Sequence, residues 1–152
     1  MFELHKGKLF SYLMRMSGDY ELSRDILQET FRRYLENYSV SDGSPSLLYA
    51  IARNAFVDQV RRQARQLSLE GEPCDRGNDA EHEMLIRESY YGVLDALKEL
   101  APDEREVLSL AISSELSYRE IAEVMNLTVA NVKVKVHRAR QRIREILKGG
   151  QQ

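Results

Sequence analysis

Seven cationic side chains, Lys133, Lys135, Arg138, Arg140, Arg142, Arg144 and Lys148, fall within residues 129–148 beside one acid, Glu145. Guanidinium and ammonium groups at that density suit phosphate: they neutralise a polyanion and release its counterions. A solvated cationic helix face is the plainer alternative. Groups suited to covalent chemistry are sparse by comparison. Asp25, Glu29 and Asp58 are carboxylates at helical positions, but no nucleophile, base and orienting group fall at a recognisable spacing, so no catalytic residue is assigned. One cysteine, Cys74, excludes an intramolecular disulfide and a cysteine-based zinc site, and its acidic neighbours Glu70, Glu72 and Asp75 disfavour the reactive thiolate. His5, His82 and His137 are too far apart in sequence for a local ligand pair, so neither a metal nor a cofactor is expected. No glycine-rich phosphate loop is present.

The elements that must position these groups read as helices. The 152 residues allow one ordinary domain or two very small ones, and 43% hydrophobic with 30% charged residues fits neither a disordered chain nor a membrane protein. No apolar run approaches the ~20 residues of a spanning helix, and the start, MFELHKGKLF, lacks the apolar core of a signal peptide. A cytoplasmic location with no membrane insertion of its own is therefore expected. The stripes Leu9-Leu13-Met16, Leu27-Phe31-Tyr34-Tyr38 and Leu48-Ile51-Ala52-Ala55 have helical spacing, with breaks at Gly18-Asp19 and over residues 39–46, SVSDGSPS. Residues 67–79, LSLEGEPCDRGND, lack an apolar face and read as an acidic, flexible linker. Beyond it, Tyr90, Leu94 and Leu97 predict a helix ending near Leu100, and Pro102 with Asp103 and Glu104 suits the first turn of another. The fold class is all-α: two small helical domains, 1–66 and 80–152, joined by the linker and free to move until a partner fixes them.

Ser117-Tyr118-Arg119-Glu120 matches a capping box, which starts a helix burying Ile121, Ala122 and Met125. Asn126 suits the left-handed backbone of a tight turn, and Thr128 caps a second helix carrying the stripe Val132-Val136-Ala139-Ile143. This is a helix-turn-helix pattern with the basic run on its second helix, whose N-terminal side chains would reach base edges in the major groove.

Residues 97–147, LKELAPDEREVLSLAISSELSYREIAEVMNLTVANVKVKVHRARQRIREIL, resemble region 4 of the sigma-70 family of bacterial transcription initiation factors. The first half agrees independently. Asp25, Gln28, Glu29 and Phe31 fit the D-x-x-Q-E-x-F signature of region 2, and Ile51-Ala52-Arg53-Asn54 with Asp58 and Arg61-Arg62 fit its I-A-R-N-x-x-x-D-x-x-R-R signature. Joining region 2 to region 4 through a short acidic linker is the plan of the extracytoplasmic-function group.

The resemblance implies core RNA polymerase, promoter DNA and an anti-sigma protein as partners. It makes Asp25, Gln28 and Glu29 candidates for the polymerase contact, with Phe31 in the core. Arg53, Asn54, Arg61, Arg62 and Arg65 become candidates for the minus-10 element, although Arg53 could equally pair with an internal acid. Asn131, Lys133, Val134, Lys135 and Arg138 become candidates for the minus-35 element. The loop of residues 39–46 stands where such factors capture a flipped base. The sequence departs from the usual pattern at three places. Leu47 stands where many members have tryptophan, Asn126 replaces the common turn glycine, and Val134-Lys135 replaces a common Ser-Arg pair. Valine suits a thymine methyl, and lysine lacks the bidentate fork that arginine offers guanine. A stand-alone helix-turn-helix regulator, or a sigma-like protein that only titrates polymerase, are the competing readings.

Overall fold

The computed structural model describes residues 2–38, 44–70, 84–112 and 115–150, and every element among them is helical. In order they are α1 (Phe2–Ser17), α2 (Tyr20–Asn37), α3 (Pro45–Glu70), α4 (Met84–Lys98), α5 (Pro102–Ile112), α6 (Tyr118–Met125) and α7 (Val129–Gly150). The all-α expectation holds. Local punctuation sets the boundaries. Gly18 has φ of 70°, a conformation L side chains resist, and its N–H donates to the Met14 carbonyl at 2.8 Å, which ends α1. A Cβ there would also meet the Lys98 side chain at 2.8 Å. Asp19 then caps α2, its carboxylate accepting the Leu22 N–H at 3.1 Å.

Two boundaries differ from the sequence reading. The polar stretch 39–46 gives up its last residues to α3, which starts at Pro45, where a missing N–H costs nothing; the Ser44 hydroxyl accepts the Leu47 N–H at 3.3 Å. Residues 39–43 lie outside the described residues. The linker expected over 67–79 loses its first four residues, because α3 continues through Glu70; no helix breaker precedes Gly71. Residues 71–79, with Cys74, lie outside the described residues.

The two halves share one core. Tyr12, Leu13, Met14, Arg15 and Met16 are consecutive and all buried, so α1 is covered on every side. Leu9, Tyr12, Leu13 and Met16 share one apolar cluster with Leu27, Tyr49 and Ala52 from the first half and Val107, Leu110, Ile121 and Val132 from the second. Met14 turns the other way, against Leu94, Leu97, Leu100, Leu108 and Ala139. In consequence α1 packs on α4 and α5, and α3 packs on α6. The physical reason is that Met14 gives α1 a second apolar side beyond its Leu9-Leu13-Met16 stripe, and Leu94, Leu97, Leu100 and Leu108 of the second half cover it.

Among the dissatisfied polar atoms at the seam is the Tyr12 hydroxyl. Tyr12 is fully buried, edge-on to Tyr49 with ring centroids 5.4 Å apart, and its hydroxyl finds no hydrogen-bond partner among the described residues; burial pushes its phenol pKa up. An unsatisfied buried hydroxyl costs about 1–3 kcal/mol. Tyr12→Phe is therefore expected to stabilise the protein by about 1 kcal/mol, read as a higher urea midpoint with unchanged slope. A lower midpoint would show that the hydroxyl is partnered.

Candidate nucleic-acid and polymerase-binding surfaces

The helix-turn-helix is built from local capping. The Ser117 hydroxyl accepts the Glu120 N–H at 3.1 Å while the Glu120 carboxylate accepts the Ser117 N–H at 3.0 Å, so the capping box is complete. Asn126 closes α6 in the left-handed region, at φ 56° and ψ 48°, and the Leu127 N–H returns to the Ala122 carbonyl at 2.8 Å. The Thr128 hydroxyl accepts the Asn131 N–H at 3.1 Å and starts α7. Val132, Val136 and Ala139 are buried, which fixes the rotation of α7 about its axis.

That rotation decides which side chains point outward. At 3.6 residues per turn, Val134, His137, Arg138 and Gln141 lie opposite the buried stripe, with Asn131 and Lys133 on the flanks, and all six are exposed. Val134 is 45% exposed, an apolar side chain held out among cations. His137 and Gln141 were missed in the sequence reading, which followed charge; the position of the buried stripe was the signal that finds them. Lys135 points elsewhere. It turns toward α5 and pairs with Asp103, leaving its side chain 26% exposed.

That pair carries a pH dependence. The Lys135 hydrogen bond, foremost, holds the Asp103 carboxyl below its usual value of 3.8. A carboxylate with a lowered folded pKa adds stability above its unfolded pKa and loses it as pH falls through the folded one. Asp103→Asn should accordingly lower the urea midpoint slightly at pH 7, with the difference from wild type disappearing in acid as the carboxylate is protonated. A difference that persists in acid would assign the effect to packing.

The five α3 candidates are divided by the structure. Asn54, Arg61 and Arg65 share the face opposite the buried Leu48, Ala52 and Ala55, and all three are exposed. Arg62 lies on the flank toward α2. Arg53, on the other flank, pairs with Glu106 of α5, which is the internal acid partner left open by the sequence.

The α2 candidates are divided too. Asp25 and Glu29 line a cleft of about 170 Å³ with Arg33, Asp58 and Arg62. Arg33 spans it, with its Nε donating to Glu29 at 3.0 Å and its Nη2 donating to Asp58 of α3 at 3.1 Å. Glu29 also receives Arg32, whose hydrogen bond is the main reason its carboxyl is held below the usual range. Gln28 instead lines a groove of about 640 Å³ between α1 and α2, with Phe10, Tyr20, Leu27 and Phe31 as its apolar lining and Lys6 and Arg24 beside them. Phe31, expected in the core, is only partly buried and forms part of this groove.

Residues 1–66 match sigma-70 region 2, and residues 92–143 match sigma-70 region 4. The ECF RNA polymerase sigma factor SigM of Bacillus subtilis is 30% identical over 99% of this chain and 94% of its own length. The chain belongs to the sigma-70 family. Within it, the chain is an extracytoplasmic-function sigma factor, an alternative sigma factor that directs transcription initiation. SigW of the same organism is 29% identical over 96% of this sigma factor and 86% of its own length. The fold has solved counterparts. The sigma factor RpoE of Bartonella quintana, in complex with the anti-sigma factor NepR, superposes with a TM-score of 0.78 at 24% identity, covering 97% of this chain and 94% of that one. CnrH, in complex with the cytosolic domain of CnrY, gives 0.69 at 21% identity, covering 97% and 85%. Sigma factors are not catalytic enzymes. Among the described residues no helix is long and apolar enough to cross a membrane.

Proposed function

We propose that residues 1–66 of this sigma factor bind core RNA polymerase and the minus-10 element, and that residues 80–152 read the minus-35 element. The observation that carries the reading is the outward face of α7, where exposed Asn131, Lys133, Val134 and Arg138 stand on a helix whose rotation is fixed by buried Val132, Val136 and Ala139. Phosphate contacts from its cations set position, and Val134 meets a thymine methyl. On α3, Asn54, Arg61 and Arg65 follow the strand near minus 10, Arg62 supports them from the α2 side, and Arg53 joins them once Glu106 releases it. Lys135 acts from the edge of the α7 footprint, since Asp103 holds it there. On α2, Asp25 and Glu29 meet cations of the polymerase, and Gln28 marks the aromatic groove beside them.

We extend the reading to control and location: the chain works in the cytoplasm and is held by an anti-sigma protein. The support is that RpoE was co-crystallised with the anti-sigma factor NepR and that CnrH was solved in complex with the cytosolic domain of CnrY. Footprinting of the reconstituted holoenzyme tests the assignment. Substitutions at Asn131 and Val134 should weaken protection near minus 35 and leave minus 10 protected, while Arg61→Ala with Arg65→Ala should do the reverse. Loss of both regions from either pair, in variants that still bind core, would refute the division of labour.

A further inference from the structure

We infer that Asp103 and Glu104, the acids in the first turn of α5, are positioning residues that withhold Lys135 and Arg142 of α7 from DNA phosphates and so limit the affinity of this sigma factor for any duplex. The inference rests on the reading of α7 as the helix on the minus-35 element. Its basis is that the cations of α7 are not equivalent. Lys135 and Arg142 stand about two helical turns apart, so they share one flank of α7, the flank that meets the start of α5. Asp103 pairs with Lys135, and Arg142 Nη1 lies 3.4 Å from Glu104 Oε1. By contrast Lys133, Arg138, Arg140, Arg144 and Lys148 are exposed and meet no acid among the described residues.

Both acids are held where they stand. Asp103 Oδ1 accepts the Glu104 N–H at 2.9 Å, which leaves Oδ2 to face Lys135, and the helix dipole favours negative charge at this end of α5. Glu104 is 8% exposed and makes no other ion pair among the described residues, so releasing Arg142 would strand a buried carboxylate. Glu104 therefore holds its cation the more firmly. Each cation that neutralises a phosphate steepens the salt dependence of log affinity by about 0.9, whatever sequence lies beneath it. Withholding two of them weakens binding to matched and unmatched duplex alike. A weaker grip on the backbone also keeps the protein from being titrated by the large excess of non-specific DNA.

Fluorescence anisotropy of the reconstituted holoenzyme tests this, on promoter fragments with matched and scrambled minus-35 sequences at several salt concentrations. Asp103→Asn with Glu104→Gln should raise affinity for both fragments about tenfold and steepen the salt slope by about two. Asp103→Asn alone, an exposed change that spares the buried Glu104, should steepen it by about one. In a Lys135→Gln with Arg142→Gln background the same acid substitutions should add nothing. An equal gain in that background overturns the inference, because the acids would then act as bulk charge. Unchanged slopes in both acid variants, while Lys133→Ala with Arg138→Ala still weakens binding, overturn the withholding alone. No loss of binding from Lys133→Ala with Arg138→Ala takes α7 off the DNA, and this inference with it.

Discussion

Removing the two exposed cations nearest the start of α7, in Lys133→Ala with Arg138→Ala, should weaken holoenzyme binding to the minus-35 element on the order of a hundredfold. Each contact to a base or phosphate is worth about 1–3 kcal/mol, and two together supply roughly 3 kcal/mol. The fold should survive, because both side chains are exposed while Val132, Val136 and Ala139 hold the helix in place. The salt dependence separates their roles. A cation on phosphate lowers affinity for all sequences and makes the salt slope shallower, whereas one on a base edge mainly removes discrimination. Titrating promoter fragments with matched and scrambled minus-35 sequences at several salt concentrations reads both. Unchanged binding would remove α7 from the interface.

The polymerase contact should be nearly as sensitive, and unevenly so. Reversing charge at Asp25 and Glu29 together is expected to weaken core binding by about 3 kcal/mol, since close charge pairs at protein interfaces commonly couple at that level. Asp25→Lys should supply the larger share. Glu29 is already engaged by Arg32 and Arg33, whereas Asp25 is exposed on the same cleft. Glu29→Gln should act more through structure, by loosening the Arg33 link to Asp58 that ties α2 to α3. Fluorescence anisotropy with core polymerase, beside circular dichroism of each variant, measures the split. Equal effects from Asp25→Lys and Glu29→Lys, with the helices intact, would show that the Arg33 bridge does not modulate the patch.

What could be read from the sequence was what neighbours in sequence decide. The Ser117–Glu120 box, the Asn126 turn, the Asp19 and Thr128 caps and the Gly18 stop are all closed by groups within a few residues, and each stands in the structure as expected. What escaped depends on pairs far apart in the chain. Arg53 meets Glu106 and His5 meets Glu115 only after the two halves dock. The docking itself is hidden because α1 reads as an ordinary amphipathic helix along Leu9, Leu13 and Met16, and its second apolar side looks like scatter until Leu94, Leu97 and Leu108 cover Met14. The site residues follow the same rule. Position on α7 was legible for Asn131, Val134 and Arg138, whereas the diversion of Lys135 to Asp103 needed the α5–α7 contact.

The most direct test of the central claim is reconstituted transcription. Purified core RNA polymerase should be incubated with genomic fragments from the source organism, with and without this protein, and transcript starts mapped. The account predicts discrete new starts only when the protein is present, preceded by shared minus-35 and minus-10 sequences, and lost in the Lys133→Ala with Arg138→Ala variant. No new starts, or tight sequence-specific binding to duplex DNA by the protein alone with no effect of core polymerase, would contradict it.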